Sequence, residues 1–218
     1  MKELHIYNGD QIDVTWLKSR CVHTGACIRA QPRVFDPGSR PWVMCDNSTA
    51  DKVADAVQRC PTGALHYTRK DGGPEEQPDA TNTLQVSRNG PLYVRGQLEL
   101  VTADGTITQE TRLALCRCGA SAHKPLCDNA HLRIRFDDGN GPVPTTQLEA
   151  READADGVLK IEPEHNGPLF LGGRIRVLDA EGRPSGVAMD LVFCRCGNSG
   201  TKPFCDGSHD RTGFSSDG

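Results

Sequence analysis

The sequence predicts an α+β chain, with one small α/β domain followed by two mostly β units. Three observations point to this. A stretch near the middle of the chain returns 77 to 78 residues later. Each copy is built of short apolar runs separated by Gly and Asp, the pattern of small antiparallel sheets. Before residue 71 the cysteine spacing changes completely and a helix is well signalled, which marks a separate domain.

The repeat is explicit. Asn89-Gly90-Pro91-Leu92-Tyr93-Val94 recurs as Asn166-Gly167-Pro168-Leu169-Phe170-Leu171, and Cys116-Arg117-Cys118-Gly119 recurs as Cys194-Arg195-Cys196-Gly197. Order and spacing match, so the unit is duplicated. The one-residue slip between the two shifts falls near Asp104-Gly105 and Glu181-Gly182, hairpin turns where insertions are tolerated. In the first copy Leu92–Val94, Leu98–Val101 and Arg112–Leu115 read as strands; in the second, Leu169–Leu171, Arg174–Val177 and Met189–Phe193. The last strand of each runs directly into Cys-Arg-Cys. The organisation that follows is a domain over 1–70, a polar Gly/Pro-rich linker over 71–82, a first unit over 83–136, a second linker over 137–157 and a second unit over 158–218.

Only 36% of the residues are hydrophobic and 5% aromatic, so each small unit has a thin core and needs a staple. Ten cysteines can supply one. The N-terminus, Met1-Lys2-Glu3-Leu4-His5-Ile6, lacks the pattern of a secretory signal, and no apolar window approaches a membrane span. A cytoplasmic setting is therefore expected, where thiols stay reduced and clustered cysteines are metal ligands rather than disulfides. The net charge of −4, with no basic run, argues against nucleic-acid binding.

Both copies read C-x-C-x8-C-x3-H: Cys116, Cys118, Cys127 and His131, then Cys194, Cys196, Cys205 and His209. Four such donors within sixteen residues can close round a metal centre. Zinc accepts three cysteines and a histidine, but its fingers usually space the first pair by two to four residues, and here the gap is one. A dinuclear iron–sulfur cluster, which spreads its ligands over two irons, suits a tight pair and a distant pair. Spacing leaves both metals open and favours iron–sulfur.

The second copy, Cys194-Arg195-Cys196-Gly197-Asn198-Ser199-Gly200-Thr201-Lys202-Pro203-Phe204-Cys205-Asp206-Gly207-Ser208-His209, resembles the full signature of the CDGSH iron–sulfur family, the mitoNEET type. The first copy resembles it through Ser121, Lys124 and Pro125, and departs at Cys127-Asp128-Asn129-Ala130-His131. Asn129 is the best replacement for glycine where a left-handed residue is needed, while Ala130 lacks the hydroxyl of Ser208. The resemblance implies a [2Fe–2S] cluster in each copy. Cys116/Cys118 and Cys194/Cys196 would hold the inner irons, and Cys127/His131 and Cys205/His209 the outer ones. In that family two chains pair as a homodimer, so the two copies here are expected to pair within one monomeric chain, without the membrane anchor that some members carry. Lys124 and Lys202, with Ser121, Ser199, Asp128 and Asp206, are expected beside the clusters. One neutral imidazole in place of a thiolate removes a negative charge. The potential should therefore fall between roughly −400 mV for all-cysteine plant-type centres and the roughly −150 to +300 mV of two-histidine centres. An imidazole that takes up a proton also predicts a pH-dependent potential.

In the N-terminal domain Cys21-Val22-His23-Thr24-Gly25-Ala26-Cys27 is followed, after a helix, by Cys60-Pro61. Ser48 is expected to cap the helix, with Asp51 three residues on. Val53, Ala56 and Val57 share a face with Cys60, and Pro61 ends the helix. Bacterial ferredoxins carry C-x2-C-x2-C and a remote Cys-Pro; here Thr24 occupies the middle position. Residues 5–68 resemble a divergent single-cluster ferredoxin-like domain. Cys21, Cys27 and Cys60 alone suit a [3Fe–4S] cluster, and Cys45, in a predicted strand, is a candidate fourth ligand that would restore [4Fe–4S]. His23 and His123 lie in ligand loops, where they could donate to cluster sulfur, while His5, His66 and His165 read as ordinary.

The expected function is electron transfer through three clusters, with a redox protein as partner. No dinucleotide, phosphate-loop, nucleophile-elbow or zinc-protease motif is present, so catalysis by this chain is not expected. The rivals are a cluster carrier that loads apo-proteins, a redox or pH sensor acting through a partner, and a zinc-stapled interaction module.

Overall fold

The structure is a computed structural model and describes residues 4–139, 141–149 and 154–216. The chain divides between Gln77 and Pro78 into two compact units, and all ten cysteines are free.

In the first unit, β1 (Leu4–Tyr7), β2 (Ile12–Leu17) and β3 (Leu65–Arg69) form an antiparallel sheet in that order. The chain between β2 and β3 carries α1 (Ala26–Ala30) and α2 (Ala50–Gln58). Alternate residues Ile12 and Val14 of β2 are buried, and α2 covers them with Ala50, Val53, Ala54, Ala56 and Val57. The helix starts one residue later than the Ser48 cap predicts. Ser48 closes the short turn Cys45–Asn47, and Thr49 takes the N-cap position with no side-chain cap bond. Cys45 accordingly sits in that turn, not in a strand.

Neither linker is a passive tether. Asp71 and Glu76 fold back onto β3 through Arg69 (2.7 Å) and His66 (3.0 Å), because acidic linker residues meet the basic edge of that strand. Asp79 pairs instead with Arg95 in the second unit (2.8 Å). In the 137–157 stretch Val143 is buried and Glu149 pairs with Val187, while residues 140 and 150–153 lie outside the described residues.

The second unit holds one six-stranded sheet of β4 (Thr83–Val86), β5 (Leu92–Val101), β6 (Ile107–Leu115), β7 (Leu159–Pro163), β8 (Leu169–Leu178) and β9 (Pro184–Phe193). The short runs read from the sequence as separate strands are joined: β5 and β8 are continuous, each with an irregularity, between Arg95 and Leu98 and between Leu171 and Arg174. At those points the strands change partners. The first half of β5 pairs antiparallel with β4, and its second half pairs parallel with β7 of the other copy, Leu98 opposite Leu159. Reciprocally, the first half of β8 pairs with β7 and its second half runs parallel to β4, Thr83 opposite Arg176. Each copy therefore completes the other's sheet. The inward residues Leu84, Leu98, Leu113, Leu159, Ile175 and Val177, all fully buried, belong to one core drawn from both copies. Each such side chain contributes about 1.5–3 kcal/mol on burial.

Asn82 ties the crossover together. It is 1% exposed, accepts from Gln97 N (3.0 Å), donates to the carbonyls of Gly157 (2.8 Å) and Arg174 (3.3 Å), and its own carbonyl accepts from Arg176 N (2.9 Å). Gly96, at φ +136°, lies against it so closely that a Cβ would come within 2.9 Å of the Asn82 Cα. Asn82→Ala would strand an N–H and two carbonyls away from water, so it should destabilise the second unit by about 1–3 kcal/mol, read as a lowered unfolding midpoint. An unchanged midpoint would show that the crossover does not depend on this side chain.

Candidate metal centres

The strands β6 and β9 end at Leu115 and Phe193, and Cys116 and Cys194 follow at once. Backbone bonds then tie each ligand loop to its strand: Cys116 N to Pro125 O and Cys127 N to Ala114 O (both 2.8 Å), and in the second copy Cys194 N to Pro203 O and Cys205 N to Val192 O. The histidines ride on single-turn helices, α3 (Ala130–Arg133) and α4 (His209–Thr212). One turn carries the imidazole back beside the cysteine four residues earlier. Asn129 adopts φ +67° where the second copy has Gly207 at +80°, as the left-handed requirement predicts.

Within each copy the donors meet in pairs. Cys116 Sγ and Cys118 Sγ are 3.7 Å apart, and Cys127 Sγ and His131 Nδ1 are 3.5 Å apart. The second copy repeats both values for Cys194/Cys196 and Cys205/His209. Metal–sulfur bonds of about 2.3 Å at a tetrahedral angle set two sulfurs about 3.8 Å apart, and a sulfur and an imidazole nitrogen about 3.5 Å apart. Each pair thus fits one metal.

The surroundings hold the ligands rather than adding to them. Asp128 accepts from Ala122 N and Ala130 N (both 2.9 Å), and Asp206 accepts from Gly200 N and Ser208 N (2.8 and 2.9 Å), clamping the two ends of each ligand loop. Those backbone donors hold the Asp206 carboxyl well below the ordinary carboxylate range. Ser121 and Ser199 donate to the carbonyls of Leu126 and Phe204 (both 2.7 Å), and Lys124 and Lys202 donate to the serine carbonyls (2.9 and 2.7 Å). The Ser208 hydroxyl that Ala130 lacks accepts from Arg211 (3.5 Å) and hydrogen-bonds the Asp206 carboxylate. Backbone N–H groups of Asn129, Asn198 and Gly207 point at cysteine sulfurs at 3.4 Å, favouring thiolate. The Cys116 thiol is brought down to about 6, chiefly by Cys118 donating to it, and Cys118 is pushed up by the same pairing and by burial. Burial pushes Cys127 up to about 11 and also raises Cys205, so a metal must displace those protons on binding. His131 is held below the ordinary imidazole range by burial and then by the Arg117 charge. Its own site is the more enclosed, for Cys127 and His131 are buried whereas Cys205 and His209 are half-buried.

Sequence reasoning gave no role to the arginine between the paired cysteines. Arg117 and Arg195 are buried, donate to the Gly90 and Gly167 carbonyls (2.7 and 3.0 Å), and lie over the Phe136 and Phe214 rings. Arg117 also pairs with the Asp138 carboxylate, for which Ser216 stands in the second copy. The signal was available, since C-R-C and a phenylalanine recur at the same shift.

The two C-x-C loops touch each other. A Cβ on Gly119 would lie 3.0 Å from the Cys196 carbonyl carbon, and one on Gly197 would lie 2.9 Å from that of Cys118. Both glycines are also left-handed, at φ +80° and +82°.

In the first unit, Cys21, Cys27 and Cys60 line one cavity of about 440 Å³ together with His23, Thr62 and the rings of Trp16 and Trp42. Burial, then the neighbouring Cys60 sulfur, pushes Cys27 up to about 11. Cys45 is not among the lining residues, and its buried thiol donates to the Tyr7 carbonyl (3.3 Å), so it is not brought to the other three. His66 bonds Glu76 and the Gly63 carbonyl, His5 stacks on Trp16, and His165 bonds Asn166. The His123 ring makes no hydrogen bond to a cysteine among the described residues; the backbone N–H of His123 donates to Ser121 Oγ.

Residues 89–132 and 166–210 match the family described as iron-binding zinc finger, CDGSH type, and residues 7–70 match the divergent 4Fe-4S mono-cluster family. The chain thus carries two CDGSH-type units behind a divergent mono-cluster domain. The uncharacterized protein YjdI of Escherichia coli K12 is 36% identical over 64 residues, which is 29% of this chain and 84% of YjdI. YjdI of the O157:H7 strain matches equally. No solved structure matches the chain. The family and the cysteine-rich sites together support iron–sulfur binding, and no helix among the described residues is long and apolar enough to cross a membrane.

Because Gly119 meets the backbone of the other copy's loop, Gly119→Ala should lower iron at both CDGSH sites, to less than half of their combined wild-type content. Loss confined to one site would show that the loops do not depend on each other.

Proposed function

We propose that this chain is an electron-transfer protein with three iron–sulfur centres. Two are [2Fe–2S] clusters, one on Cys116, Cys118, Cys127 and His131 and the other on Cys194, Cys196, Cys205 and His209. The third is a ferredoxin-type cluster on Cys21, Cys27 and Cys60. The observation that carries this reading is the pairwise convergence of donors at 3.7 and 3.5 Å in both copies, which suits two irons per site and not one zinc. The reciprocal strand pairing supports reading the two copies as an intramolecular counterpart of a CDGSH homodimer.

When bound, such clusters supply reversible one-electron chemistry. The protein's part is to enclose the thiolates and fix their number. It aims backbone N–H groups at sulfur to favour negative charge, and places one neutral imidazole in each set so that reduction is easier than at an all-cysteine centre. These are the properties of a site that keeps its cluster through repeated redox cycles. The partner this reading calls for is another redox protein.

A second reading, cluster delivery to an apo-protein, is favoured by one observation: the Cys205/His209 pair is only half-buried while Cys127/His131 is enclosed. The two readings separate in one experiment. The anaerobic protein is cycled between reduced and oxidised states with a viologen, then incubated with apo-[2Fe–2S] ferredoxin. Electron transfer predicts full recovery of absorbance over many cycles and no iron in the acceptor. Iron appearing in the ferredoxin, at the expense of the half-buried site first, would replace the electron-transfer reading with that of a carrier.

A further inference from the structure

The N-terminal cavity offers a fourth donor besides its three thiols. His23 lies in the loop between Cys21 and Cys27 and lines the same cavity. Its Nδ1 is 3.9 Å from Cys21 Sγ, at the outer limit of a sulfur contact, and the ring has no other hydrogen-bond or ionic partner among the described residues. It is also the one non-glycine residue with left-handed backbone, at φ +53°, among the described residues before Pro78. Histidine tolerates that conformation better than most residues, yet it costs energy, and such backbone persists where surrounding structure or function holds it. Gly25, at φ +70°, adds a second left-handed residue to the same loop. The rival position is Thr24, where a ferredoxin has its middle cysteine. Its carbonyl is tied to Arg29 (2.9 Å), and a neutral hydroxyl is a poor iron ligand beside an imidazole. Cys45 faces the Tyr7 carbonyl instead.

We propose that His23 is the fourth protein ligand of the N-terminal cluster, completing a set of three cysteines and one histidine with Cys21, Cys27 and Cys60. The centre is then a [4Fe–4S] cluster rather than a [3Fe–4S] one. The assignment rests on the iron–sulfur reading above and gives the first unit the same donor types as each CDGSH site. The exposed imidazole forms the solvent side of the site, with Cys60 buried at its inner side.

The test uses the full chain purified without oxygen, as wild type, His23→Ala, His23→Cys and Cys60→Ala, with iron and sulfide analysis and electron paramagnetic resonance of the oxidised protein. An oxidised [4Fe–4S] centre is diamagnetic and an oxidised [3Fe–4S] centre is not. The wild type should show no three-iron signal. His23→Ala should lose about one iron per chain and gain that signal. His23→Cys should restore the wild-type iron content without the signal, at a more negative potential, because a thiolate replaces a neutral ligand. A three-iron signal already present in the wild type, or wild-type iron and spectrum in His23→Ala, would overturn the assignment. Cys60→Ala separates the two levels: if it too leaves iron and spectrum unchanged, the N-terminal cluster itself is refuted, and His23 with it.

Discussion

The exchange of strand partners at two irregular points is the constraint on which the second unit depends. Each copy alone is a short strand and a long hairpin, too little sheet to enclose a core. At Gly96 and Gly173 the long strands release their own short strand and take up that of the other copy. Backbone pairing, the shared core of Leu98, Leu159, Ile175 and Val177, and the buried Asn82 junction all follow from that exchange. So does the approach of the two C-x-C loops, whose glycines pack against each other's carbonyls. The ligand loops are held at the ends of strands that the two copies build jointly, so neither site is independent of the other.

On that scaffold the same signature is set in two different surroundings. The first site is enclosed, its arginine paired with Asp138; the second is more open, with Ser216 in the corresponding place and a carboxylate, Asp210, 3.4 Å from the His209 ring. A duplicated unit with identical ligands can therefore hold two centres of unequal character. Burial and fixed charge do the tuning, because the three cysteines and one histidine are the same in both.

The ligands were legible in the sequence because their geometry is local. Two cysteines separated by one residue, and a cysteine and histidine one helical turn apart, meet whatever the rest of the chain does. The duplication was legible for the same reason, as was the left-handed need at Asn129. What could not be read was set at long range. The short strands Thr83–Val86 and Leu159–Pro163 carry little signal of their own and are defined by partners in the other copy. Asp138, placed in a linker by its Gly- and Pro-rich neighbours, is fixed by Arg117 and Asn89. The position of Cys45 depended on a turn, and the helix cap moved one residue because Ser48 was already part of it. Arg117 and Arg195 recur in the repeat, but only their burial under phenylalanine rings shows why.

The central claim is that each CDGSH site gathers its donors two by two, for two metals bridged by sulfide. Iron, acid-labile sulfide and zinc measured together on protein purified without oxygen test it most directly. The account predicts iron and sulfide in matching amounts, about four of each from the two C-terminal sites, and no zinc. Two zinc ions per chain, with iron and sulfide enough only for the N-terminal cluster, would place a single ion in each C-terminal site and contradict it.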